Sequence, residues 1–485
     1  MKMKPATNSY MFDMILFELQ DVVGKDYVST RESDKEVYSI DYFWIPEMWH
    51  DRQTGRDITH PTADFIVHPG TTDEVSKIVK IANNYKIPLT AWGGGSGSQG
   101  GALPVFGGII LDTKRLDNIF KIDEMAMTVE VGTGIIHQTL EWELEQKGLS
   151  TMHDPASSRC ATVGGFIAHR GTGVLSTKYG KIEDMIVNME VVLPTGQIIN
   201  TLPVPKTACG PDLNQVFVGS EGTLGIVTKV TLTIHRLPEA RAFRAFIFKN
   251  LATGLRVGQR LISENLQPSV IRLYSENETK EVIKKVLGIE KAGAYLVYGF
   301  DGKQNMVDIQ MEYAKAIADE EEGEDLGSEL GAQWWENRYK FFFPPYMFHL
   351  PQCFGTLDTV ATFSNIENVY NAMKDVVEAK YPMARFIGHF SHWFPWGAML
   401  YARFIIETPP EDPHEAIYLH NSIWNDALRA AMKAGGVLNE HHGIGLKLSR
   451  LTPELYGDAW KIVKDIKGSL DPHGIMNPGK LGFGL

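Results

Sequence analysis

The chain has 485 residues, 44% hydrophobic and 22% charged, a composition and length suited to two or three domains with substantial cores. Its 47 basic against 59 acidic residues give a formal net charge of −12, which argues against a nucleic-acid binder: that function needs a basic face to displace counterions. Three cysteines, Cys160, Cys209 and Cys353, are too few and too scattered for a disulfide framework or a zinc site.

The N-terminus, MKMKPATNSYMFDMILFELQ, has a short apolar stretch broken by Asp13 and Glu18 and lacks a small-residue cleavage site. It reads as an amphipathic helix, not a signal peptide. No run of about 18 apolar residues occurs, so no membrane span is expected and the expected compartment is the cytoplasm. Residues 63–67 read as a strand, and Thr72 opens a helix that continues to about Tyr85. Residues 87–91 form the next expected strand, leading into Trp92-Gly-Gly-Gly-Ser-Gly-Ser98. Four glycines in five positions permit a tight turn and expose backbone N–H groups at close range, a nest suited to a pyrophosphate. No Lys follows, so this is not a GxxxxGK[ST] loop.

Further strands are expected at 108–112 and 128–131, then a helix from Ile135 to about Lys147. A second glycine-bearing segment, Asp154-Pro-Ala-Ser-Ser-Arg-Cys-Ala-Thr-Val-Gly-Gly165, precedes the apolar stretch 182–193. A third, Gly219-Ser-Glu-Gly-Thr-Leu-Gly-Ile-Val227, runs into a strand at 229–234. Beyond about Leu237, longer helical patterns alternate with β-rich stretches and aromatic residues concentrate. The acidic run 319–325 reads as a solvated loop. A last helix is expected at about 453–470, before Asp471-Pro-His-Gly474 and Asn477-Pro-Gly479.

Taken in order, GGGSG, SSRCATVGG, GSEGTLGIV, HHGIG and DPHGIMNPGK make the chain resemble the flavoproteins of the vanillyl-alcohol oxidase superfamily, with the FAD-binding domain named after p-cresol methylhydroxylase. The resemblance covers about residues 60–485. It implies an α+β fold: an FAD-binding domain of two α/β subdomains over 1–238, completed by 450–485, and a cap over 239–449 with an antiparallel sheet and flanking helices. It also implies FAD as cofactor. Gly93, Gly94, Gly95, Ser96 and Gly97 would cradle the pyrophosphate; Thr162, Gly164 and Gly165 would serve the ribityl and ring region, with Ser98, Ala156, Ser157, His169, Arg170 and Thr172 also expected at the cofactor. Glu221, Gly222, Thr223, Gly225, Ile226 and Val227 would hold the adenine and ribose side, with Asn477 adding to them. Ser96 and Ser98 stand where covalent members often carry a His, so the expected attachment is non-covalent.

Within the superfamily the chain looks closest to alkyl-dihydroxyacetone-phosphate synthases and D-2-hydroxy-acid dehydrogenases. Ser269-Val-Ile-Arg-Leu-Tyr274 resembles the synthase segment with an arginine beside the flavin, which falls on Arg272. Gly397-Ala-Met-Leu-Tyr401 resembles the segment with the synthase's catalytic tyrosine, and Glu440-His-His-Gly-Ile-Gly445 its triple-histidine motif, with Glu440 in place of the first His. Flavin oxidation needs a base beside the hydride acceptor. His442 and His441 suit that role near neutrality; Tyr401 does so if a cation such as Arg272 lowers its pKa.

Two departures qualify the resemblance. Gly388-His-Phe-Ser-His-Trp-Phe-Pro-Trp396 keeps His389 but has Trp396 where metal-bearing dehydrogenases place a second His, and His441 replaces the Glu before His-Gly. No metal is therefore expected, although His389, His392 and Glu440 offer a different set. Asn365 falls where the relatives carry an anion-binding Arg. With Trp334, Trp335, Phe341, Phe342, Phe343, Tyr346, Phe348, Trp393, Phe394 and Trp396, this points to a less charged pocket, most of these aromatics belonging to core or interface. The expected activity is FAD-dependent dehydrogenation of an alcohol or 2-hydroxy acid, the alternative a flavin-dependent alkyl-glycerone-phosphate synthase. The expected partners are a partly apolar small molecule, an electron-acceptor protein or quinone, and a second copy of the chain.

Overall fold

A computed structural model describes residues 9–42, 62–340 and 353–484. Three sheets carry the architecture. The first holds β1 (Val28–Ser29), β2 (Phe65–Val67), β3 (Leu89–Trp92) and β4 (Ile109–Asp112) in the order β1-β2-β4-β3. β2, β4 and β3 run parallel, and each is almost wholly buried, as expected of a parallel sheet covered by helices. The helix Ser9–Val23 buries Ile15 and Leu19 here, while the helix Thr72–Tyr85 buries Val75, Ile78, Val79 and Ala82. The cap of the latter is Thr71, one residue before the expected Thr72; its side chain accepts the Glu74 N–H.

The second sheet is antiparallel, with β5 (Ile119–Asp123), β6 (Thr128–Gly132), β8 (Ile186–Val192), β9 (Ile198–Asn200) and β10 (Ile226–Thr233) in the order β5-β6-β10-β8-β9. A ribbon of β7 (Leu149–Ser150) and β11 (His235–Arg236) lies apart from it. The C-terminal segment returns to the first sheet: Leu89 donates to the Ile475 carbonyl and Asn477 donates back to Leu89.

The third sheet follows at Ala240. It contains β12 (Ala240–Phe248), β13 (Val270–Tyr274), β14 (Ala294–Gly302), β15 (Glu324–Leu326), β16 (Cys353–Thr362), β17 (Ala384–Phe394) and β18 (Gly397–Ile406), all antiparallel. Helices Leu251–Ser263, Gln304–Glu320, Ile366–Lys380 and Pro413–Lys433 cover one face and build the largest core with Phe246, Leu273, Phe390, Trp393 and Phe404. The acidic run is not one loop: the helix reaches Glu320, and Glu324–Leu326 pairs with β12. In the β17–β18 hairpin, Phe390 pairs with Leu400 and Trp393 with Ala398, so Ser391 and His392 together face Met399. This one-residue bulge turns both toward the interior of the molecule.

Candidate active site

A cleft with two chambers opens where these sheets meet. The smaller, about 150 Å³, lies among the glycine-bearing segments; the larger, about 480 Å³, extends to the third sheet. Ser96, Gly97, His169 and His442 line both. Gly93, Gly94, Gly95, Thr162, Gly164, Gly165, Glu221, Gly222, Gly225, Ile226 and Val227 line the smaller; Ser98, Ala156, Ser157, Thr172, Arg272, Tyr401 and His441 line the larger.

Three expected residues face elsewhere. Arg170 ends a helix in the left-handed region (φ 60°), which sends its guanidinium to Glu183 and Gln215. Thr223 turns its hydroxyl to the Ser220 carbonyl. Asn477 ties the Gly101 and Glu221 carbonyls together, supporting the chamber from behind. Asn365 begins the helix Ile366–Lys380 and lies against Gly435, not in the cleft. Of the concentrated aromatics, Phe341–Phe348 fall outside the described residues. Trp334 and Trp393 are core, and Phe394 stacks on the half-exposed Trp396. The aromatic walls are instead Tyr42, Phe166, Phe354, Tyr401 and Trp424.

The glycines of the loop do two jobs. A Cβ at Gly94 would lie 1.8 Å from the Cys160 carbonyl oxygen, and one at Gly93 2.3 Å from Thr162 Oγ1. These positions are empty so that the first and second glycine-bearing segments can pack backbone on backbone. Gly97 meets nothing within 4 Å and opens the cleft. Gly94→Ala alone is therefore expected to abolish cofactor retention, through this collision and before any clash with a ligand. Absorbance of the purified variant checks this; full flavin stoichiometry would refute it.

Whether FAD fits can be judged from the walls. Ser98 Oγ, both amide atoms of Gln99 and Thr172 Oγ1 are buried without a hydrogen-bond partner among the described residues, and all three residues line the cleft. Buried polar groups are normally satisfied, so a long polar ligand spanning both chambers is the natural partner. A narrow glycine-lined chamber joined to a wider one with aromatic walls matches a pyrophosphate joined to a flat ring.

At the end formed by the third sheet, one carboxylate organises the catalytic candidates. Asp358, fully buried on β16, accepts from Asn439 Nδ2 (2.6 Å), from the N–H groups of Glu440 (3.0 Å) and His441 (2.9 Å), and from His442 Nδ1 (2.8 Å). His441 Nδ1 lies 3.2 Å from Asp358 and 2.8 Å from Glu440. Burial alone would lower His441, but Asp358 and Glu440 outweigh it and raise it to about 9. Burial keeps His442 below its ordinary value despite Asp358. The adjacent rings thus differ at pH 7, one an imidazolium and one a neutral imidazole.

Tyr401 is pushed up to about 12 by burial, with Arg403 the main opposing influence. Its ring stacks on His389 at 4.9 Å. His389 is not in the cleft: it and Arg403 both pair with the fully buried Glu278. Arg272 is a different cation. It is buried, lies 5.9 Å over the Trp334 ring, has no partner for Nε among the described residues, and lines the larger chamber.

Two groups of ligand-type atoms converge among the described residues, Asp358–His441–His442 and His392–Glu440–His441. The Lys181 ammonium stands 2.8 Å from Glu440, placing fixed positive charge where a bound cation would be repelled. Dialysis against EDTA is expected to leave turnover unchanged. A loss restored by a divalent ion would overturn this. Asp358, Lys181, Glu278 and Arg403 were not legible as site residues. The one signal for Asp358 was a single acid in the strand stretch Cys353–Thr362, where Asp is disfavoured.

The geometry is that of a glycine-lined cleft into which the third sheet and the turn after it bring an Asp–His pair. Residues 63–202 match the FAD binding domain and residues 237–481 the FAD linked oxidases, C-terminal domain. The chain belongs to the FAD-linked oxidase family, with FAD as cofactor. It is 29% identical to the uncharacterized FAD-linked oxidoreductase YgcU of Escherichia coli K12, over 96% of this chain and 98% of that one. It is also 29% identical to glycolate oxidase subunit GlcD of Bacillus subtilis, over 90% and 94%. A solved alkyldihydroxyacetonephosphate synthase shares the fold with a TM-score of 0.79 at 24% identity, covering 96% of this chain and 86% of that one. No described helix is long and apolar enough to cross a membrane.

Proposed function

We propose that the chain dehydrogenates a CH–OH group of a small, partly apolar substrate, an alcohol or a 2-hydroxy acid, with FAD held non-covalently. The observation that carries this reading is the Asp358–His442 pair. Asp358 Oδ1 accepts the Nδ1 proton at 2.8 Å, which fixes the tautomer and leaves Nε2 as a proton acceptor on a ring that lines both chambers. Bound FAD supplies a hydride acceptor at flavin N5. His442 takes the hydroxyl proton as the C–H bond gives up its hydride and the C–O bond becomes a carbonyl. Arg272 holds the substrate oxygen or a neighbouring carboxylate by charge. Phe354 and Trp424 face the apolar part of the substrate. The electron acceptor would be oxygen, a quinone or an electron-transfer protein. In this reading residues 1–238 with 450–485 form the FAD-binding domain, and 239–449 the cap.

The test is anaerobic mixing of the holoenzyme with D-lactate, glycolate, benzyl alcohol and longer alcohols, following flavin absorbance. Bleaching by a member of the set supports dehydrogenation. No bleaching, with release of a fatty acid on exchange with a fatty alcohol, would assign the synthase reaction instead. Acid precipitation should release the flavin to the supernatant; colour in the pellet would refute non-covalent attachment.

A further inference from the structure

The turn that carries His441 and His442 is held from the cofactor side at successive points. Lys181 Nζ donates to the Glu440 carbonyl at 2.9 Å, and His169 Nδ1 donates to the His441 carbonyl at 2.6 Å. Beyond the histidines, the Glu221 carboxylate accepts the N–H groups of Ile444 (2.5 Å) and Gly445 (2.9 and 3.0 Å to its two oxygens).

Glu221 is itself rigidly placed. It adopts a left-handed backbone (φ 51°), its N–H bonds the Ala168 carbonyl, and its own carbonyl accepts Asn477 Nδ2 at 2.6 Å. The turn is drawn tightly against it: a Cβ at Gly443 (φ +83°) would lie 2.7 Å from Glu221 Oε1. The same residue lines the smaller chamber beside Gly445 and His442. A buried carboxylate is costly unless hydrogen-bonded, and here the two N–H groups that offset the cost belong to the catalytic turn.

We propose that Glu221 is a positioning residue, one carboxylate in the wall of the FAD chamber that sets the place of His442. The cofactor cleft and the proton acceptor are thereby located by one group, which touches neither the reacting carbon nor the transferred proton. The proposal rests on His442 being the proton acceptor.

A double-mutant cycle on the holoenzyme tests it: wild type, Glu221→Gln, His442→Ala and the pair. The readouts are FAD stoichiometry and the rate of anaerobic flavin reduction by whichever compound bleaches the flavin above, D-lactate first. Glutamine keeps the shape and one acceptor oxygen but turns an NH₂ toward an N–H. Glu221→Gln is expected to retain FAD and to slow reduction roughly tenfold to a hundredfold, the scale of a displacement of about 1 Å at a reacting group. In the His442→Ala background the same change is expected to cost less than about twofold, because nothing is left to position. Gly443→Ala, whose Cβ would meet Glu221 Oε1 at 2.7 Å and His169 Cβ at 3.0 Å, displaces the same turn by a second route and should also slow reduction. Equal fold-losses in both backgrounds, or outright loss of FAD from Glu221→Gln, would overturn the proposal while leaving the His442 assignment standing. An undiminished rate in His442→Ala alone would sink that assignment first, and the positioning role with it.

Discussion

Replacing His442 by alanine is expected to slow anaerobic flavin reduction by about a hundredfold to ten-thousandfold, the usual range for a lost general base, with FAD retained. Tyr401→Phe should cost much less. With its hydroxyl pushed to about 12, Tyr401 is ionised at pH 7 in roughly one molecule in 10⁵. His442, lowered by burial, is already neutral there. The pH profile follows from the same directions. The acid limb should fall below the ordinary histidine value of 6.5, where His442 becomes protonated. A basic limb should appear near 9, where His441 loses its proton and the charge balance beside Asp358 changes. Stopped-flow reduction across pH 5 to 10 checks both limbs. A larger loss from Tyr401→Phe than from His442→Ala would return the base to the tyrosine and favour synthase chemistry.

Asp358→Ala is expected to have the largest effect on stability, about 3–5 kcal/mol, because it removes the carboxylate from a buried ionic cluster and leaves two N–H groups and two imidazoles without it. Burial pushes this carboxyl up, but the imidazoles of His442 and His441 outweigh it and hold it well below 3.8. The linkage sign is that of a depressed acid: its contribution is present above the ordinary carboxylate value and lost as pH falls through the folded one. Urea melts at pH 7 and at pH 3 should therefore separate wild type from variant widely at the first and less at the second. The milder Asp358→Asn should stay folded yet lose activity by up to about ten-thousandfold, since an amide can hold the wrong imidazole tautomer. Full activity in that variant would mean that Asp358 is purely architectural.

The glycine segments, the parallel strands of the first sheet and the His-His-Gly turn were legible because each is a local pattern of spacing or periodicity. The partners that tune them were not. Asp358 meets His442 across 84 positions, Glu278 meets Arg403 across 125, and Lys181 meets the Glu440 carbonyl across 259. No local period encodes such pairs. Side-chain direction was the other blind spot. Arg170 sits in the right segment, but its left-handed backbone points it out of the cleft. Gly94 was singled out for phosphate access, whereas the backbone of Cys160 leaves no room for a side chain there. The third sheet was visible only as a change of texture, because strands such as Ala294–Gly302 are buried on both faces and show no alternation.

The bulge at Ser391–His392 has a consequence for how related chains are compared. Along an uninterrupted strand, positions 389, 391 and 393 would share a face, and His392 would point toward the helices. The extra residue reverses parity from that point on: Phe390 and Trp393, three apart, bring their rings within 6.5 Å on the helix side, while Ser391 and His392 both look into the cleft. The polar character of this cleft wall is thus written in the length of the hairpin as much as in its residues. A chain that lacked Ser391 would regain regular alternation and keep His392 alone on the cleft face, with Trp393 still on the helix side.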